Sequence, residues 1–182
     1  MGKVITAKRK EGEAEQAQNY IKTHILFPSG LLGLLAMVIG VFALIYQLIV
    51  DTYDVFTFAQ SSGLLIVGIV LGLIQTMYHK FILREHPEFF ASRMKRMGQS
   101  NAQRKKKPSS EVMLTHRGRK LVPVWYIIGL VSIIGLSAWS FSSGALDYMA
   151  AFAWPWAGFF WGKMFSWRGV IDPPSRSKKK NL

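Results

Sequence analysis

The sequence predicts an all-α membrane protein: four transmembrane helices as two hairpins, both termini cytoplasmic, and a basic cytoplasmic loop containing an interfacial amphipathic helix. Three observations predict it. Half of the 182 residues are hydrophobic, and they are gathered into uncharged blocks rather than spread periodically; that is how a chain reads when its solvent is lipid. The 23 Lys and Arg fall into three segments, with five in 1–24, twelve in 79–120 and six from 163 onward. The short turns 51–54 and 141–147 contain none and carry Asp51, Asp54 and Asp147 instead. By the positive-inside rule the three basic segments share the cytoplasmic side, which requires an even number of spans.

The expected divisions are a tail (1–24), a first hairpin (25–78), a basic loop (79–120), a second hairpin (121–165) and a basic tail (166–182). The N-terminal tail is polar and mixed in charge: Lys8-Arg9-Lys10 is followed by Glu11, Glu13 and Glu15 where a signal peptide would have an apolar stretch. Residues 11–20 are good helix formers, suited to a short surface helix.

Residues 25–50 carry no formal charge, enough for a span of roughly 20 residues with some tilt. Gly33, Ala36, Gly40 and Ala43 recur at i, i+3, i+7 and i+10, and Gln47 continues that stripe. Such small-residue faces let helices approach closely in lipid. They suit docking to another subunit, or packing within this chain. The second span, 55–78, repeats the device with Gly68 and Gly72. If the two spans pair, Gln47 and Gln60 lie near the turn on the same side and are placed to hydrogen-bond each other.

In the loop, Pro87 suits a first helical position. Phe90, Met94 and Met97 fall at i, i+4 and i+7, while Arg93, Lys95 and Arg96 lie mostly elsewhere on the wheel. The expected pose is apolar face in the membrane and basic face toward anionic headgroups. The run Arg104-Lys105-Lys106-Lys107 is a second candidate contact for anionic lipid or an acidic partner surface.

The third span, 121–141, starts with Pro123 and has Trp125 and Tyr126 at the interface, where aromatic belts form. The fourth, 145–165, is short of charge-free residues, bounded by Asp147 and Lys163, and interrupted by Pro155. It is loaded with aromatics, among them Trp154, Trp156 and Trp161, and has Gly158 and Gly162 as close-approach positions. This helix suits a partner protein, a bound lipid, a quinone or a pigment ring, and equally aromatic packing inside the bundle. The tail ends in Lys178-Lys179-Lys180-Asn181-Leu182, which resembles a dilysine retrieval signal of the endoplasmic reticulum. A bacterial inner membrane or a thylakoid is the favoured location all the same.

The chemistry-bearing residues are sparse. There is no cysteine, so disulfides, thiolate metal sites and thiol nucleophiles are excluded. His24, His79, His86 and His116 all lie outside the spans or at their edge, so no haem or metal motif occurs within them. No ionisable residue sits near mid-span, against a proton relay. The net charge of +13 is accounted for by membrane orientation, so nucleic acid is not an expected partner. The expected partners are the membrane, anionic headgroups and other integral membrane subunits. The expected function is a non-catalytic accessory or assembly subunit of a larger membrane complex. Two alternatives stand beside it: a small oligomeric channel or carrier for neutral or lipid-like substrates, and a lipid-modifying enzyme using His79, Glu85, His86 and Glu88.

Overall fold

The computed structural model describes residues 2–98 and 121–167, with side chains from residue 12 to 97 in the first stretch. Every regular element among them is helical: α1 (Gly2–Ile21), α2 (Phe27–Ile49), α3 (Val55–Glu85), α4 (Pro87–Gly98), α5 (Val122–Ser142) and α6 (Tyr148–Trp167). Three helical stretches are long and apolar enough to cross a membrane: Gly12–Ile49, Val55–Glu85 and Val122–Ser142. α6 is not among them, although it has 20 residues. Its Trp, Pro and Lys content lowers its hydropathy without shortening it.

α1 does not end where the polar tail meets the first span. One turn of π-helix, Lys22–Leu26, joins it to α2 with helical dihedrals at both flanks. Pro28 lies in the first turn of α2, so the hydrogen bond it cannot donate falls at the π-turn. Polar tail and first span are thus one continuous rod. α3 likewise runs beyond the expected 55–78, to Glu85. There His86 takes φ −134°, ψ 59° and its N–H donates to Ile82 O at 2.8 Å. Pro87 follows, disfavouring helix at the preceding residue and opening α4.

The centre of the bundle is α6, seated between α2 and α3, which scarcely touch each other. Side-chain size explains this arrangement. Against α3, two glycine pairs meet backbone to backbone: Gly68 and Gly72 face Pro155 and Phe159, while Gly158 and Gly162 face Leu65 and Ile69. A Cβ on Gly162 would stand 2.6 Å from Ile69 O, closer than atoms tolerate. Against α2 the fit is knob into hole. A Cβ on Gly33 would meet Phe160 Cβ at 3.0 Å, and one on Gly40 the Trp154 indole at 3.4 Å. Small residues on one helix and rings on the other create close packing where no hydrophobic force between helices is available in lipid. α5 is peripheral, buried only at Ile133, Ser137 and Ser140.

A second core forms at the end of the bundle where α1, α4 and the C-termini of α3 and α6 converge. Ala17, Tyr20, Ile21, Ile82, Phe90 and Trp167 are buried there, with Phe89 and Met94 packed alongside. The face of α4 expected to lie in the membrane surface is divided: Phe90, with Ala91 beside it, is covered by protein, Met94 is half-buried and Met97 is exposed. α1 supplies the reason, since its Ala17, Tyr20 and Ile21 lie opposite and bury the same apolar area without lipid.

Candidate functional site

The loop-side end of the bundle gathers basic and polar side chains from four helices. Gln75 and His79 stand one turn apart on α3. Tyr126 of α5 reaches over to this pair: its hydroxyl lies 3.1 Å from His79 Nε2. Lys163 of α6 holds its ammonium 5.2 Å from the centre of the Phe159 ring. Arg93 of α4 lies over Phe89 at 4.6 Å, and Phe90 meets the His79 ring edge-on at 6.3 Å. The charges that act on His79 are Lys163 and Arg93, both cationic. Among the described residues no carboxylate acts on Lys163. His79 Nδ1 and Gln75 Oε1 are buried without a hydrogen-bond partner. Two cationic side chains, Lys163 and Arg93, thus come together with the His79 imidazole and the Tyr126 hydroxyl beside aromatic rings at this end.

The opposite end is a hydrogen-bonded clamp. Asp54 caps α3, accepting from Thr57 N at 2.7 Å, and these contacts hold its carboxyl below the usual carboxylate range. Thr57 Oγ1 donates to Ala145 O at 2.9 Å, and Gln47 Nε2 reaches the same carbonyl at 3.4 Å. Gln60 accepts from Ser140 Oγ at 2.7 Å and donates to Ser143 Oγ at 3.0 Å. The expected Gln47–Gln60 bond does not form. α6 separates α2 from α3, so each glutamine turns to the second hairpin's turn instead.

Of the residues singled out for helix docking, Gly33, Gly40 and Ala43 are buried and Ala36 is half-buried; Gly33 and Gly40 face the chain's own α6. Gly68 and Gly72 of α3 face Pro155 and Phe159 of α6, and Gly158 and Gly162 of α6 face Leu65 and Ile69 of α3. Trp154, Trp156 and Trp161 are half-buried, and Trp156 stacks on Phe160 with ring centres 5.9 Å apart. Arg93, Lys95 and Arg96 are exposed on α4. Arg104, Lys105, Lys106 and Lys107 lie outside the described residues. His79 turns to Tyr126 and away from His86, which caps α3, while Glu85 and Glu88 are exposed. Among the described residues no three His, Asp or Glu side chains gather as a metal-holding group.

From the sequence, Lys163 reads only as the end of a span and Tyr126 only as part of an aromatic belt. Gln75 and His79 at i, i+4 near the loop end of α3 are a legible signal for a polar patch. Its partners, 47 and 84 residues away from His79, are not. No family model, curated protein or solved structure matches this chain.

Proposed function

We propose that this chain is a non-catalytic accessory or assembly subunit of a larger integral membrane complex, spanning the membrane four times with both termini and the 79–120 loop in the cytoplasm. The observation that carries it is the state of α5. This 21-residue helix buries three residues within the chain and leaves Trp125, Ile127, Ile128, Leu130, Val131 and Ile134 exposed. Gly135 and Gly63 have nothing within 4 Å of a Cβ position, so close-approach sites remain for helices of another subunit. The small stripe of α2 and the glycines of α6 are already taken internally, so docking to that subunit runs over α5 and the outer side of α3.

The fourth span rests on the position of α6, which is about 30 Å long at 1.5 Å per residue and lies alongside α2 and α3. The orientation rests on charge: the bundle end bearing α1, α4 and Trp167 adjoins every basic segment, and the acidic turns lie at the other end.

Affinity purification from native membranes in a mild detergent tests the subunit reading. A stoichiometric integral membrane partner is expected, lost on Gly135→Trp. A lone monomer overturns it. Orientation is read separately, because the chain has no cysteine: Thr52→Cys should label from the extracytoplasmic side only, and Gln103→Cys from the cytoplasmic side only.

A further inference from the structure

We infer that His79, Arg93, Tyr126 and Lys163 form a binding site for the phosphate of an anionic membrane lipid at the loop-side end of the bundle. The inference rests on the four-span reading, which puts this end at headgroup depth.

The first support is charge without a counter-charge. Lys163 is half-buried against Phe159, and no carboxylate among the described residues acts on it. A partly desolvated ammonium without an anion is unfavourable. Arg93, the second cation facing His79, is exposed over Phe89 with its guanidinium open to a ligand. A phosphate diester supplies one negative charge and acceptor oxygens for both.

The second support is the orientation of His79. A phenol O–H is the natural donor to a neutral imidazole nitrogen, and the Tyr126 hydroxyl lies 3.1 Å from His79 Nε2. That arrangement puts the ring hydrogen on Nδ1, the buried nitrogen with no partner. The Tyr126–His79 pair thereby leaves one N–H donor without a protein partner at this end of the bundle.

The third support is the surface leading away from Lys163. Trp156, Phe159 and Lys163 recur at i, i+3 and i+7 of α6, and Trp156 meets Phe159 at 5.9 Å. An apolar aromatic stripe running from a cationic end toward mid-membrane suits an acyl chain below its headgroup. This favours a lipid over free phosphate.

The test uses the full chain in detergent micelles, with native mass spectrometry and thermal unfolding as readouts. The probes are phosphatidylglycerol, phosphatidylcholine and inorganic phosphate. Retention of phosphatidylglycerol over phosphatidylcholine is expected, with a raised unfolding temperature. Lys163→Gln and Arg93→Gln should each weaken retention by about tenfold, the worth of one hydrogen bond to a charged group. Lys163→Arg should restore it, and Tyr126→Phe should weaken it with both cations intact. Lys22→Gln, an exposed charge outside the site, should have no effect.

Equal retention by wild type, Lys163→Gln and Arg93→Gln overturns the site. Equal protection by inorganic phosphate and by phosphatidylglycerol overturns its assignment to a lipid. Far-ultraviolet circular dichroism of each variant separates lost binding from lost fold. The cysteine-labelling pattern is independent of both readouts, so failure of this site and failure of the four-span reading are distinguishable.

Discussion

Ser140 donates a 2.7 Å hydrogen bond to Oε1 of Gln60, which lies 80 residues earlier in the chain. Ser140 is fully buried, so this bond joins α3 to α5 at a point that solvent does not reach. Replacing Gln60 by Leu leaves the hydroxyl without its acceptor. The expected loss is on the order of 1 kcal/mol, the usual worth of an interhelical hydrogen bond. Ser140→Ala should cost less, and the double variant should cost less than the sum of the two, in a thermal or denaturant cycle in micelles. Strict additivity would mean that the two side chains do not interact.

The glycine contacts between α3 and α6 predict a sharp contrast. Gly68→Val brings a side chain against the backbone of Pro155, which has no rotamer through which to move aside. A loss of roughly 1–3 kcal/mol or more follows from such overpacking. Gly135→Ala meets nothing within 4 Å and should stay within about 0.5 kcal/mol of wild type. Unfolding in mixed micelles of detergent and SDS measures both.

The α1–α4 contact should come apart without the rest of the bundle. Phe90 is buried with Tyr20 and Ile21, and its ring centre lies 5.8 Å from that of Tyr20. Truncation of a buried ring, Phe90→Ala, costs about 3–5 kcal/mol in a packed core, enough to release α4. Trypsin should then cut faster at Arg93, Lys95 and Arg96, while amide exchange in α3 around Gly68 and Gly72 stays unchanged. Unaltered cleavage would show that α4 is held by something other than this contact.

The Asp54 cap gives the fold an acid-side dependence. The backbone and side-chain hydrogen bonds from Thr57 hold the Asp54 carboxyl below its ordinary value of 3.8. A depressed folded value means that the unfolded state takes up the proton first. The stabilisation is therefore complete above pH 3.8 and is lost as pH falls through the lower, folded value. Asp54→Asn keeps a capping oxygen but does not titrate. Between pH 5 and pH 2, wild type should lose stability more steeply than Asp54→Asn when unfolding temperatures are compared; parallel curves would remove Asp54 as the cause.

Block hydrophobicity and helix-forming residues predicted, from the sequence alone, an all-α membrane protein with four spans; among the described residues every regular element is helical and three stretches are long and apolar enough to cross a membrane. The Pro87 start of α4 was equally legible, because a proline and a 3.6-residue period are local signals. The small-residue stripes were visible too, and so was the fact that something must press against them: a run such as Gly33, Ala36, Gly40 and Ala43 records a close approach. Only the tertiary structure decided what approaches. A glycine carries no information about its partner, and α2, α3 and α6 all display small faces, so several pairings satisfy the sequence equally well. The fit of the Trp154 and Phe160 rings into the gaps at Gly40 and Gly33 selects the order α2–α6–α3. That order separates Gln47 from Gln60 and brings Tyr126 and Lys163 to His79. The apolar face of α4 followed the same rule in part: the fold covers Phe90 with α1 and leaves Met97 exposed. Burial is read one residue at a time, whereas juxtaposition depends on shape complementarity between segments far apart in the chain.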